Sequence, residues 1–409
     1  MRIVCIGDIG VHNDVIHIGD EAMFEELVVQ LHLRGVDDIT AISSNPVDSV
    51  DRYGVAGIAG IGFPTGPTDP RSRATDRMDA VLRTAAGERD LLDPGDTALG
   101  VIEAIRTSDG VAVAGGGNLS STWPAHIFER CTIGAIAALL GKPLVVTGQT
   151  LGPYLTPDDA ALVTTLLTSA RLVGVREGSS FDLGRKLGVP AAALTHTIDD
   201  ASFLGIDGAH RIGDAPAMPP YCAVTLAAHI DGADRDEFDR RTAELLDGIA
   251  ASTELDIVFF AHYGSLRDEV AHGDTVVHER VMARMTAPRV RTHPTTDSVA
   301  AARFARNASL VVTCRYHPAV FAVSAGVPTV GIAVDEYTTT KLTGALENFG
   351  QDGILPVTEL LAGGGPAAVE RVWLARTGAP SHDQRPPDAQ RAASRAWWDQ
   401  VALAFRPPG

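Results

Sequence analysis

SLVVTCRYHPAVFAVSAGVPTVGIA, residues 309–333, places an apolar strand, a short helix and a second apolar strand in immediate succession. Residues 309–314 form a β-branched run of strand length. Pro318 suits the first helical turn, where its missing N–H removes no bond, and Gly326 stands past the helix end. Residues 328–333 then resume a strand. Strand, crossover helix and strand in that order make one parallel unit of an α/β sheet.

The same alternation extends in both directions. Upstream in the second half, strands are expected at 221–226, 256–260 and near 290, with helices at 234–252, 269–286 and 297–305. In the first half the spacing predicts strands at 2–6, 38–43, 110–114, 143–147 and 171–175. A helix is expected over 19–35, with Asp20 as N-cap and Gly35 as its stop, and a Pro- and Gly-rich loop over 62–73. The expected fold class is α/β: two Rossmann-like, doubly wound domains facing a cleft. The chain reads as an N-terminal domain over 1–205, a linker at 206–220, a C-terminal domain over 221–375, and a linker with a last helix over 376–409. Trp397 and Trp398 are expected to anchor that helix to one of the domains.

With 409 residues, the length exceeds what one core usually supports, and 45% hydrophobic residues supply ample interior. A net charge of −17 without a basic cluster opposes nucleic-acid partners and limits membrane contact to the periphery. No run approaches the roughly 20 apolar residues that cross a bilayer, so a soluble, cytoplasmic protein is expected. The four cysteines, Cys5, Cys131, Cys222 and Cys314, are widely spaced and read as reduced core residues.

Ligands of doubly wound sheets collect at the carboxyl ends of strands, and four segments place polar groups there. Gly115, Gly116 and Gly117 permit close backbone approach by a ligand or a neighbouring loop, and their spacing is not that of a dinucleotide fingerprint. Gln149 brings a donor and an acceptor, with a polar loop residue as the alternative. Arg176 would lie where a strand meets a helix, either facing the cleft or pairing with Asp199 or Asp200. Arg315 and His317 are the fourth set. Alternating along a strand end before a helix N-terminus, they make an anion site, because the helix dipole and a guanidinium both favour a carboxylate or phosphate. The alternative is a capping histidine beside a surface ion pair.

Taken together, GDEAMF (19–24), GGGNLS (115–120), GQTLGP (148–153), VREGSS (175–180), DDASF (199–203) and CRYHPAVFAVSAGVPTVGI (314–332), followed by Asp335 and Lys341, resemble the polysaccharide pyruvyl transferase family. Three features depart from the family pattern. Its usual Arg-Asp is Arg176-Glu177 here. Val334-Asp335-Glu336-Tyr337, with Lys341 four residues on, replaces Tyr-Asp-Pro-Lys. The segment before Gly19 lacks the usual Asn-Tyr or Asn-Phe. The resemblance implies a GT-B-like fold and transfer of pyruvate from phosphoenolpyruvate to a sugar diol as a cyclic ketal. No cofactor or metal is needed.

On that reading, Arg315, the helix N-terminus, Arg176 and Lys341 bind phosphoenolpyruvate, and His317 delivers a proton to its methylene carbon. Asp8, Asp20 or Glu21 would orient the acceptor hydroxyls, with Asp335 beside them on the substrate side. Expected partners are phosphoenolpyruvate and a sugar or lipid-linked glycan, and a homo-oligomer is left open. Two rival readings remain. One is a GT-B nucleotide-sugar glycosyltransferase or epimerase, since Arg-x-His before Gly-Val-Pro also suits a nucleotide-sugar site. The other is a non-catalytic sugar-binding protein.

Overall fold

The computed structural model describes residues 1–66, 68–206, 218–267, 270–377 and 388–406. Its strands are β1 (Arg2–Ile6), β2 (Val15–His17), β3 (Asp38–Ser43), β4 (Ala56–Ala59), β5 (Gly110–Val113), β6 (Gly116–Leu119), β7 (Leu144–Leu151), β8 (Leu172–Val175), β9 (Leu194–His196), β10 (Tyr221–Thr225), β11 (Asp256–Phe260), β12 (Tyr263–Ser265), β13 (Val290–His293), β14 (Leu310–Thr313), β15 (Thr329–Ala333) and β16 (Ile354–Pro356). The helices are α1 (Ile18–His32), α2 (Pro46–Tyr53), α3 (Arg71–Ala85), α4 (Thr97–Thr107), α5 (Pro124–Leu139), α6 (Pro157–Ser169), α7 (Gly178–Lys186), α8 (Arg235–Thr253), α9 (Asp274–Met282), α10 (Ser298–Arg306), α11 (Tyr316–Val323), α12 (Glu336–Glu347), α13 (Val357–Leu361), α14 (Gly365–Thr377) and α15 (Asp388–Ala404). Several helices start where a short polar side chain accepts a first-turn N–H: Asn45, Asp96, Thr156, Asp234, Asp297 and Asp335 each do so.

Two compact units result. The first comprises Met1–Val11, Met23–Asp200 and Ala393–Gly409, and the second His12–Ala22 and Ala201–Ala392. Residues 12–22 therefore fold with the second unit rather than with the 1–205 segment assigned from sequence. Most of the 206–220 linker, and the Pro-rich run before the last helix, lie outside the described residues.

In the first unit a parallel sheet runs β4-β3-β1-β5-β7-β8-β9, with β6 beside β7. Alternation along its strands builds two cores. Val4, Ile6, Val111 and Val113 face one layer, and Ile3, Cys5, Ala112 and Ala114 the other. Trp397, Trp398 and Val401 of α15, with Phe405 just past its end, pack into the second of these layers. Gly174 makes room for this helix, since a Cβ there would come 2.4 Å from Trp397.

In the second unit the order is β13-β11-β10-β14-β15-β16, again parallel, and β2 pairs antiparallel with β12. In both sheets the chain winds outward on one side and returns to start the other, so β1/β5 and β10/β14 are the switch points at which such sheets bind ligands.

Three local expectations are corrected. β7 extends to Leu151 because β6 lies alongside it, pairing Gly116 with Gln149 and Leu119 with Leu151, so residues 148–151, past the expected strand end at 147, are buried strand. The helix expected at 269–286 is confined to Asp274–Met282. α1 starts before Asp20, with the Ile18 amide bonded to the His262 carbonyl, so Asp20 lies inside the first turn and is not the N-cap. All four cysteines are free and buried. Among the described residues no helix is long and apolar enough to cross a membrane.

Trp398 is 1% exposed, and its truncation would leave a large void in the first unit. Trp398→Ala is expected to lower stability by about 3–5 kcal/mol, read as a fall in the urea midpoint. An unchanged midpoint would show that α15 does not support the first unit.

Candidate functional site

Arg315 follows β14 at the switch point of the second sheet and occupies the N-cap position of α11. Its backbone is fixed by Thr313, whose hydroxyl accepts from the Arg315 N–H at 2.8 Å and donates to the Arg315 carbonyl at 2.9 Å. Its side chain is fixed by Asp274, the first residue of α9. Nε lies 3.0 and 3.2 Å from the two carboxylate oxygens, and Nη2 lies 2.5 Å from one of them. Nη1 has no hydrogen-bond partner among the described residues, and the side chain is 26% exposed. One arm of the guanidinium is thus held while the other stays open to an anion.

Asp274 is fully buried. Besides Arg315 it accepts the amides of His262 and Tyr263 at 3.1 and 3.0 Å. It thereby fixes the turn into β12, whose Tyr263 stands opposite His17 of β2. Beyond His17 the chain passes Gly19, whose backbone lies against the His317 imidazole. A Cβ at residue 19 would fall 2.0 Å from His317 Nδ1, so only glycine fits that contact. His317 itself is nearly buried, between the Tyr316 and Phe321 rings.

The charges around this histidine are sorted by environment. Burial would raise the Asp20 carboxyl. His17, whose Nδ1 is 2.5 Å away, outweighs burial with help from His317 and Lys341, and holds Asp20 well below the usual carboxylate range. His262 shows the opposite case: burial, then the positive charges of His317, Arg315 and His17, push it well below an ordinary imidazole. It is neutral at pH 7, and neither ring nitrogen has a hydrogen-bond partner among the described residues. Lys341 lies over the Tyr316 and Tyr337 rings at 4.9 and 4.6 Å.

The second unit therefore brings together Arg315, His317, Asp20 and Lys341. Two other expectations for it are corrected. Asp335 is the N-cap of α12, in a capping box with Thr338, and also pairs with His229 at 3.0 Å. Glu21 is buried within α1, which removes it from contact with an acceptor.

The first unit holds the remaining expected residues, and most have structural partners. Arg176 is 0% exposed; its Nη1 lies 2.6 Å from Asp199, and its Nε bonds Thr150 and Glu177. Glu177, the departure from the family's aspartate, is long enough to accept from Thr150 and Ser180 as well. This buried ion triad is structural. Gln149 is fully buried and donates to the Ala114 carbonyl, so it does not stand at the mouth of the sheet. Close approach at the glycines is real, but the group approaching is Asp200. A Cβ at Gly115 would meet its carboxylate at 2.7 Å, and one at Gly148 at 2.6 Å, while Gly116 and Gly117 are interior to β6. Asp8 alone among these residues keeps a partly exposed side chain, next to Asn118 and His126.

Residues 17–336 match the family profile described as polysaccharide pyruvyl transferase. The chain belongs to that family. No curated protein matches the chain. Among solved structures, an S. aureus MnaA–UDP co-structure is similar at 12% identity and TM-score 0.60, covering 100% of this chain and 99% of the other. The UDP-GlcNAc 2-epimerase of Methanocaldococcus jannaschii is similar at 11% identity and TM-score 0.60, covering 98% and 100%. That of Neisseria meningitidis, bound to UDP-GlcNAc, is similar at 10% and 0.56, covering 98% and 100%. At these identities the likeness fixes the fold, which is GT-B-like, with parallel α/β sheets in two domains. For this pyruvyl transferase family member, sequence reasoning missed Asp274, His17 and His262. Glycine followed by an acidic residue at 273–274 was the available signal for the first.

Two predictions follow from these contacts. Gly19→Ala is expected to displace the His317 ring and to cost about 1–3 kcal/mol through overpacking, seen in the variant's crystal structure and melting temperature. An unmoved ring at unchanged stability would contradict the contact. The second concerns Asp200, which burial and then the Asp199 charge push up to about 7, against Thr147, Arg176 and the Gly115 amide. Because the folded carboxyl binds its proton more tightly than the unfolded one, its contribution to stability falls between about pH 4 and 7 and stays low above that. Asp200→Asn should match the parent near pH 4 and exceed it by roughly 4 kcal/mol at most at pH 8, at about 1.4 kcal/mol per pKa unit. Parallel pH–stability curves from urea titrations would contradict this.

Proposed function

We propose that this chain transfers pyruvate from phosphoenolpyruvate to a diol of a cell-envelope or exopolysaccharide glycan as a cyclic ketal, releasing phosphate, and that it does so in the cytoplasm. The observation carrying this reading is the Arg315–His317 pair at the second sheet's switch point, with Asp274 holding one arm of the guanidinium and leaving Nη1 open. Phosphoenolpyruvate presents a carboxylate and a phosphate. Arg315 takes one of them, and the ammonium of Lys341 adds positive charge on the same side.

His317 gives its proton to the methylene carbon, and the π electrons form the new C–H bond. The adjacent carbon becomes oxocarbenium-like and accepts a lone pair from one sugar hydroxyl. Its bond to the phosphate oxygen then breaks, and the neighbouring hydroxyl closes the ring. Of the two hydroxyl protons, one returns to His317 and the other leaves on phosphate. Asp20, held ionised, accepts a hydrogen bond from an acceptor hydroxyl in this scheme. Four free thiols fit a reducing compartment.

Arg315→Ala is expected to raise KM for phosphoenolpyruvate by about tenfold or more, and His317→Ala to lower kcat by roughly 10²–10⁴-fold. Phosphate release with candidate sugar diols measures both. Unchanged turnover in the two variants would remove this site from the reaction. Calorimetric titration that detects UDP-GlcNAc and not phosphoenolpyruvate would favour the nucleotide-sugar reading.

A further inference from the structure

The first unit has a feature that pyruvyl transfer from Arg315 and His317 does not use. At the carboxyl ends of its strands, Trp123 is 45% exposed and Tyr154 is 63% exposed. Two large aromatic rings held in water forgo the burial that stabilises most such side chains. Nor do they sit on loose loops. The Ser121 amide and Ser120 hydroxyl both bond the Tyr154 carbonyl, at 2.9 and 3.2 Å, and the Trp123 amide bonds the Ser120 carbonyl at 2.9 Å. The Ser121 hydroxyl donates to buried Asp159 at 2.5 Å and accepts from the Thr156 amide at 2.8 Å.

Polar groups adjoin these rings. The His126 ring meets Trp123 edge-on at 6.4 Å, and His126 Nε2 lies 3.5 Å from the Asp8 carboxylate. Asn118 Nδ2 reaches the same carboxylate at 3.4 Å, and Arg130 holds His126 from behind at 3.0 Å. Asp8 ends the run from β1 and remains 40% exposed. β1 is one of the two strands flanking the first sheet's switch point.

We propose that Trp123 and Tyr154, with Asp8, Asn118 and His126, form a glycan-binding platform on the first unit. A pyranose has an apolar C–H face bordered by hydroxyls. The ring faces pack against the former, while a carboxylate and an amide side by side accept from and donate to the latter. The Asp8 charge disfavours an anionic ligand, which separates this site from the cationic one in the second unit. The platform's assignment as the recognition site for the acceptor rests on the pyruvyl-transfer reading; its affinity for sugar does not.

The test uses the full chain and an array of neutral hexose and N-acetylhexosamine di- to tetrasaccharides, followed by fluorescence titration of the best binder. Trp123 is the most exposed of the described tryptophans, so its emission reports occupancy. Saturable binding is expected, weakened about tenfold or more in Trp123→Ala and Asp8→Asn and largely kept in Trp123→Phe, which calorimetry reads without the indole. Phosphoenolpyruvate titration should be unchanged in Trp123→Ala. Glycan binding that survives Trp123→Ala and Tyr154→Ala overturns the platform, as does a wild-type chain that binds no sugar on the array. If the wild type binds glycan through Trp123 yet neither binds phosphoenolpyruvate nor releases phosphate from it, the platform stands and the pyruvyl-transfer reading fails.

Discussion

The second unit depends on the contact between Asp274 and Arg315. Asp274 is a carboxylate withdrawn completely from water, a costly placement unless its charge is matched and its lone pairs are filled. Arg315 supplies the charge, and the His262 and Tyr263 amides fill the remaining positions. One residue at the start of α9 therefore sets the guanidinium at the end of β14, the entry to β12, and through β12 the pairing of β2. Gly19 and His317 come into register at the far end of that chain of contacts. Loss of Arg315 would leave an uncompensated buried charge at Asp274.

A second constraint is the separation of protonation states over short distances. Asp20 stays ionised among cationic groups, whereas His262, behind the same histidine, stays neutral because water is excluded and positive charge surrounds it. His317 thus has a fixed anion in its vicinity and an uncharged imidazole among its buried neighbours. The first unit applies the same physics for structural ends. Arg176 binds both Asp199 and Glu177 in the interior, and Asp200 is cradled by Gly115 and Gly148.

Much of the fold was legible because strand and helix periodicities differ, and the run at 309–333 shows both within one unit. Arg315 and His317 were legible because a strand end, a proline and a past-the-end glycine fix where they must stand. Asp274 was not, because its partner is remote in sequence and an acidic residue after glycine resembles any helix start. At Gly115 the pattern correctly signalled close approach, but the approaching group, Asp200, comes from the turn after β9, far along the chain. Gln149 and Arg176 were misplaced for a related reason. Polar residues at strand ends look alike whether they meet solvent or one another, and only the pairing of β6 with β7 and the carboxylates around Arg176 settle which applies. Asp20 failed as a cap because the Ile18–His262 bond lets the helix begin earlier.

The contact between Gly19 and His317 also bears on how the protein is made. Residues 12–22 are synthesised well before residues 201–392, yet they fold with them. The backing of His317 is therefore made long before the histidine itself, and the early segment must wait without its β12 partner while the intervening sheet forms. Such long-range closure slows folding relative to local pairing. A fragment starting at residue 201 would carry Arg315, His317 and Asp274 but lack the surface on which the imidazole rests, so the site is a property of the whole chain rather than of its second half.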